Sequence, residues 1–94
     1  MKHYIVVKWN EKVSDKNEYY LKACEAFRAV TDIEGVSNLN VYKSNSDKSN
    51  RFDVMIEIEC TPEGLANYDV STLHLSWKEN YSSFIEKKAI FDRD

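Results

Sequence analysis

KHYIVVKWN, residues 2–10, is the stretch from which the rest of the fold can be worked out. It is rich in β-branched and aromatic residues, which predicts a strand of about eight residues. Side chains alternate across a strand, so one face carries the odd-numbered residues His3, Ile5, Val7 and Trp9. The other face carries Tyr4, Val6 and Lys8. Both faces are largely apolar, so we expect each of them to be covered.

Helix and strand signals follow this strand in a regular order. Ser14 or Asp15 offers an N-cap for a helix whose apolar spacing runs to residue 33, and Gly35 supplies its stop. Strands are predicted at 37–43 and 51–60, joined by the polar loop 44–50. Thr61 and Pro62 predict the start of a second helix, and Ser71 is the predicted N-cap of a third helix that runs to about Phe84. A last strand is predicted in EKKAIFDR (86–93).

The element order β-α-β-β-α-α-β predicts an α+β fold of the ferredoxin-like kind, a four-stranded antiparallel sheet with helices on one face. We expect residues 1–94 to form a single domain. The uncovered sheet face would carry Tyr4, Val6, Tyr42 and Met55 among charged groups. That is more apolar surface than a small monomer leaves in water, so we expect a twofold homodimer joined sheet to sheet.

Composition and charge exclude several classes of function. Hydrophobic residues make up 43% and charged residues 31% of the chain, and the net charge is −3. No basic stripe suited to phosphate contacts is present, so we expect no nucleic-acid partner. No apolar run approaches the length of a membrane span or of a signal peptide, so we expect no membrane partner and a cytoplasmic location.

The cysteines and carboxylates give no sign of a metal or redox site. Cys24 and Cys60 belong to no CxxC or Cys/His cluster and are interpreted as small buried hydrophobes. Glu57 and Glu59 are interpreted as solvated or interface-edge groups near Lys8 or Lys43. With two glycines in the chain, a phosphate-cradling loop is not expected. We therefore predict no metal and no cofactor.

YDVSTLH, residues 68–74, holds the candidate chemistry. On one continuous helix, Tyr68 and His74 would lie about 120° apart around the axis and about 9 Å apart along it. They can cooperate only if the helix breaks near Asp69–Val70 and restarts at Ser71. Both residues also have an ordinary structural interpretation, a satisfied histidine near a helix start and a core tyrosine with a wet hydroxyl.

A second imidazole, His3, would enter the same space if its strand face meets the helices. The predicted walls of this pocket are Ile5, Val7, Trp9, Phe27, Trp77 and Phe84. An imidazole, which titrates near a pH of about 6.5, can remove a proton at neutral pH, and a tyrosine can orient it or donate to a developing oxyanion. This combination suits enolate chemistry without a cofactor.

Four segments resemble the stress-responsive A/B barrel (Dabb) family of dimeric α+β barrels. They are the opening strand KHYIVVKW (2–9), the turn IEGV (33–36), the segment NYDVSTLH (67–74) and the closing strand FIEKKAIFD (84–92). The resemblance implies a homodimer with facing sheets. It also implies, by analogy with a plant polyketide cyclase of this family, that His74 is the general base, Tyr68 its orienting partner and His3 a pocket residue polarising a carbonyl.

The sequence departs from the family inside the third segment. Where the family has His-Pro, this chain has Ser71-Thr72, so Ser71 alone must restart the helix. Three functions stay open. They are a pocket protein for a hydrophobic or keto-containing small molecule, with cyclase, lyase or isomerase chemistry; a non-catalytic stress-associated binding or scaffold protein; and a cofactorless monooxygenase.

Overall fold

The computed structural model describes all 94 residues as one antiparallel sheet covered on one face by helices. The strands are β1 Lys2–Trp9, β2 Val36–Lys43, β3 Val54–Cys60 and β4 Ile85–Arg93. The helices are α1 Lys16–Phe27, α2 Pro62–Asp69 and α3 Thr72–Tyr81, with 3₁₀ turns at Arg28–Asp32 and Ser82–Phe84. The strand order β2-β3-β1-β4 confirms the predicted ferredoxin-like α+β class.

The alternation of β1 defines the two faces of the sheet as predicted. Every odd-numbered residue from His3 to Trp9 is buried, and the even-numbered residues between them are half-buried. Ile5, Val7 and Trp9 join Phe27, Val30 and the apolar residues of β3 in the core between sheet and helices. β1 lies in the sheet interior, flanked by β3 and β4.

The helix boundaries follow the capping residues. Asp15 caps α1 by accepting from the Glu18 N–H, and Thr61 caps α2 by accepting from the Gly64 N–H. Helix α1 ends at Phe27, earlier than predicted, and the chain continues as a 3₁₀ turn to Asp32. The third helix likewise ends at Tyr81 instead of Phe84, where the last turn tightens to 3₁₀ geometry.

The two glycines pack directly on each other where β2 begins beside α2. Gly35 has a φ of +88°, and a Cβ at this position would lie 2.6 Å from the Cα of Gly64. The Thr61 N–H donates to the Gly35 carbonyl at 2.9 Å. This close approach fixes the position of α2 against the sheet and hence the position of Tyr68 at its end.

Strand β3 begins three residues later than the sequence predicted. Phe52 lies outside the strand, and Asp53 is buried, accepting a hydrogen bond from the Trp9 backbone N–H at 2.9 Å. Lys16 Nζ pairs with the same carboxylate at 3.0 Å. Asp53 is therefore part of the structure that anchors the end of β1, because its charge is compensated from two elements.

Candidate functional site

A cavity of about 350 Å³ lies between the β1–β4 side of the sheet and the helices α2 and α3. The sheet supplies His3, Ile5, Lys88, Ile90 and Asp92, and the helical side supplies Leu65, Tyr68, Asp69, His74, Trp77 and Lys78. The volume is at the lower end of the range typical of small-molecule pockets. The cavity thus combines an apolar wall with several polar groups aimed inward.

Tyr68 and His74 meet because the helix does break between them. α2 ends at Asp69, Ser71 is in an extended conformation, and α3 begins at Thr72. Ser71 Oγ accepts from the His74 N–H at 3.1 Å and donates to the Tyr68 carbonyl oxygen at 2.6 Å. The centroids of the Tyr68 and His74 rings are consequently 4.6 Å apart.

The hydrogen bond of the His74 ring fixes which nitrogen is available. Nδ1 lies 2.9 Å from the Asp69 carbonyl oxygen, which can only accept. Nδ1 therefore carries the proton, and in the neutral imidazole Nε2 retains its lone pair. His74 is half-buried and lines the cavity.

His3 is buried and is held by a carboxylate from the far end of the chain. Its Nδ1 lies 2.5 Å from Asp92 Oδ1, because β1 and β4 pair with His3 opposite Asp92. The side chain of His3 is 8% exposed, and that of Asp92 is 44% exposed. The His3 ring centroid is 5.9 Å from that of Tyr68, so Tyr68 lies beside both imidazoles.

The hydroxyl of Tyr68 has no hydrogen-bond partner in the chain. Tyr68 is 1% exposed, and its Oη and Trp9 Nε1 are the two buried side-chain polar atoms without a partner. Burial, and to a smaller extent the negative charge of Asp69, raises the pKa of Tyr68 above its ordinary value. The hydroxyl is therefore a neutral donor whose acceptor is missing from the protein.

The structure brings together some of the predicted wall residues and separates others. Ile5 and Trp77 line the cavity with the candidate trio. Val7, Trp9 and Phe27 do not line it, because they are packed in the core beneath it. Phe84 does not line it either, since the 3₁₀ turn carries this ring against Tyr19, with a centroid distance of 5.2 Å.

Trp77 forms a wall of the cavity and leaves the space beside His74 open. Its ring stacks on Tyr81 at a centroid distance of 4.8 Å and meets Phe27 edge-on at 4.9 Å. Trp77 is 3% exposed and is held from two sides. These contacts keep the indole in the core.

Four polar lining residues were not predicted from the sequence as site residues, namely Asp69, Lys78, Lys88 and Asp92. Asp92 and Lys88 face the cavity because of the register between β1 and β4, two strands at opposite ends of the chain. The alternation of β4 was a usable signal, since a strand paired antiparallel to β1 must present every second residue to the face that carries His3.

No group of three or more His, Cys, Asp or Glu side chains is arranged to hold a metal ion.

Glu57 departs from its predicted role. It is buried on the outer sheet face, where Asn40 Nδ2 donates to Oε1 at 3.0 Å and Lys2 Nζ lies at 3.8 Å, in place of Lys8 or Lys43. The hydrogen bond from Asn40 is the largest cause that lowers the pKa of Glu57.

The outer sheet face carries an apolar groove of about 560 Å³. Its apolar lining is Tyr4, Val6, Tyr42, Met55 and Phe91, and its charged lining is Glu57 and Arg93. Phe91 is 61% exposed and Tyr42 is 49% exposed. Arg93 Nε donates to the Tyr4 hydroxyl at 3.2 Å.

The sheet, its one helical layer and the cavity between them define a ferredoxin-like α+β protein. Residues 1–94 match the family described as the stress responsive A/B barrel domain (Dabb), and the chain belongs to that family. None of the curated proteins matches this chain in sequence. No helix is both long and apolar enough to cross a membrane.

Several solved structures share the fold at low sequence identity. A dimeric protein of unknown function from Bacteroides fragilis is 18% identical with a TM-score of 0.81, covering 99% of this chain and 93% of its own. A Dabb family protein from Mesorhizobium loti is 14% identical with a TM-score of 0.74 and the same coverages. A Nitrosomonas europaea protein, described provisionally as an antibiotic biosynthesis monooxygenase, is 20% identical with a TM-score of 0.68, covering 99% of this chain and 98% of its own.

Proposed function

We propose that the cavity binds a small keto-containing molecule and moves a proton on the carbon next to its carbonyl, without a cofactor. The observation that carries this proposal is the Tyr68 hydroxyl, which is buried without an acceptor in the chain on a ring that lies beside two imidazoles. A buried donor without a partner costs about 1–3 kcal/mol. A carbonyl oxygen of a bound substrate would relieve that cost.

The chemistry follows from the groups around the hydroxyl. His74 Nε2 takes a proton from the carbon next to the carbonyl, and the electron pair of the broken C–H bond moves onto the carbonyl oxygen. Tyr68 donates its hydrogen bond to the resulting enolate oxygen. The enolate carbon then either attacks a second carbonyl of the same molecule, forming a carbon–carbon bond, or is reprotonated. In the first case the imidazolium of His74 returns its proton to the new alkoxide.

His3 has a positioning role in this scheme. Because the Asp92 carboxylate accepts from Nδ1, the neutral ring of His3 keeps its lone pair on Nε2. His3 would thereby position the substrate, because Nε2 can accept a hydrogen bond from a hydroxyl or an enol of the bound molecule.

A homodimer joined through the outer sheet faces would complete the molecule. The exposed aromatic residues of that face favour this assembly, because contiguous apolar surface of this kind is usually covered. The structural relatives from Bacteroides fragilis and Thermobifida fusca are described as dimeric. The cavity lies on the inner face, so it remains open when two sheets meet.

The test is deuterium incorporation at C-2 of acetoacetate in deuterated buffer, followed by proton NMR. The protein should accelerate exchange above the buffer rate. His74→Gln and Tyr68→Phe should each lower the accelerated rate about 100-fold, since one removes the base and the other the oxyanion donor. Tyr81→Phe is the matched control, because Tyr81 stacks on Trp77 outside the cavity, and should exchange as the wild type does.

Exchange that is equally fast in the wild type, His74→Gln and Tyr68→Phe would rule out the proposed chemistry. If acetoacetate binds in the cavity without accelerated exchange, the protein is a binding protein rather than an enzyme. A quinol oxidised with consumption of molecular oxygen would support the second candidate, a cofactorless monooxygenase. That candidate is favoured by the similarity to the Nitrosomonas europaea protein.

A further inference from the structure

We propose that the cavity selects keto compounds that carry a carboxylate, with Lys78 and Lys88 holding the anionic group at its mouth. This inference deepens the proposed function and rests on it only for the reacting end of the substrate. The two lysines come from opposite walls, Lys78 from the last turn of α3 and Lys88 from β4. Their side chains line the same cavity as Tyr68 and His74.

The register of β4 directs Lys88 to the inner face. Lys88 pairs with Val7, as Ile90 pairs with Ile5 and Asp92 with His3, and all three partners on β1 face the helices. The adjacent Lys87 pairs with Lys8 and points to the opposite face. Two neighbouring lysines of the same strand therefore differ in whether they reach the cavity, which provides a matched control.

Neither cavity lysine forms an ion pair in the chain. The four ion pairs use Lys2, His3, Lys16 and Arg28 as their cations. Of the two carboxylates that line the cavity, Asp92 is engaged by His3 Nδ1. Asp69 ends α2 and forms no ion pair with either lysine. Lys78 and Lys88 are therefore both available to attract an anionic group of a ligand.

Each lysine also has an ordinary structural role. A lysine in the last turn of a helix interacts favourably with the helix dipole, and lysines on an edge strand oppose pairing between sheets. Neither role requires that both lysines line the same cavity as Tyr68 and His74. The presence of both charges in that cavity is what indicates a role in substrate selection.

The ligand class follows from what the cavity offers. Phosphate sites typically use an arginine fork or a nest of backbone N–H groups, and this cavity is lined by neither an arginine nor a glycine-rich loop. Its volume of about 350 Å³ suits a small molecule. A short keto acid, with its carboxylate at the lysines and its carbonyl at Tyr68, meets both conditions.

The inference is tested by comparing acetoacetate with its neutral ester, methyl acetoacetate, in NMR titrations of the whole protein. The wild type should bind the acid about five- to tenfold more tightly than the ester, as expected for two partly exposed ion pairs. In Lys78→Met/Lys88→Met this preference should disappear while affinity for the ester is retained. Lys87→Met should keep the preference.

Raising the ionic strength provides a second measurement on the unaltered protein, because exposed charge pairs are screened by salt. The preference for the acid should fall with salt in the wild type. A preference that survives in the double variant, or an ester bound as tightly as the acid by the wild type, overturns the inference. Tighter binding of inorganic phosphate than of acetoacetate overturns the assignment to a carboxylate.

The outcomes also separate this inference from the proposed function. Lysine-dependent selection of acetoacetate without proton exchange supports the inference as a statement about binding and refutes the proposed reaction. Accelerated exchange on acid and ester alike, with no difference in affinity, supports the reaction and overturns the role of the lysines.

Discussion

At the scale of single residues, the Tyr68 hydroxyl serves the proposed reaction but lowers the stability of the folded protein. Its ring is packed beneath His3 and His74, yet its hydroxyl is buried without an acceptor. We predict that Tyr68→Phe leaves the free energy of unfolding unchanged or raises it by up to about 1 kcal/mol, because a buried unsatisfied hydroxyl is removed. Urea denaturation measures this, and destabilisation by more than about 1 kcal/mol would indicate that the hydroxyl is bonded within the protein.

Glu57 makes a pH-dependent contribution on the outer face. Its pKa is lowered, chiefly by the hydrogen bond from Asn40. A carboxyl whose pKa is lower in the folded state stabilises the protein above its unfolded pKa and loses that contribution as the pH falls through the folded pKa. Glu57→Gln should therefore flatten the loss of stability below about pH 4.5, measured by thermal unfolding against pH. An unchanged acid limb would contradict this role.

The sequence predicts a site residue when the pattern that marks it lies within one helix or strand, and not when its position depends on pairing between distant strands. Tyr68 and His74 were identified from a local spacing, and His3 from the alternation of one strand. Asp92 and Lys88 depend on pairing with His3 and Val7, which lie more than 80 positions away in sequence. Phe84 was assigned to the wrong place, because a 3₁₀ turn replaced the last helical turn and rotated its ring toward Tyr19.

At the scale of elements, the helix break at Ser71 determines whether a site exists. Ser71 Oγ joins the Tyr68 carbonyl to the His74 N–H across the break between the helices. Ser71→Ala should destabilise the fold by about 1 kcal/mol through the lost cap and also slow the exchange reaction, because it uncouples the two residues. Denaturation and deuterium exchange on the same samples measure both effects.

Thr61→Ala is the matched control for that prediction. Thr61 caps α2 in the same way, by accepting from the Gly64 N–H at 3.0 Å, yet it does not touch the junction between α2 and α3. It should lose similar stability while the folded protein keeps its exchange rate. Equal loss of activity in the two variants would show that general stability, not the junction, is responsible.

At the scale of the whole molecule, the unequal faces of the sheet organise both packing and assembly. The alternation in KHYIVVKWN was enough to predict one face under helices and one apolar face outside, and the class of fold followed from element order. The wall of the cavity that β4 forms did not follow, since it depends on the register of β4 against β1.

The assembly can be tested on the outer face itself. Phe91→Asp places a charge at the most exposed aromatic residue of the groove and should convert the proposed dimer to a monomer in sedimentation experiments. Leu75→Asp is the control, because Leu75 is similarly exposed, at 57%, on α3 away from this face. A wild type that sediments as a monomer at micromolar concentration would contradict the proposed assembly.

The most direct test of the central claim is a crystal structure of the protein with acetoacetate bound. We predict that the keto oxygen lies about 2.5–3.0 Å from Tyr68 Oη. We also predict that C-2 faces His74 Nε2 and that the carboxylate faces Lys78 and Lys88. A structure with acetoacetate bound elsewhere, and with Tyr68 Oη hydrogen-bonded to another group of the protein, would contradict the account.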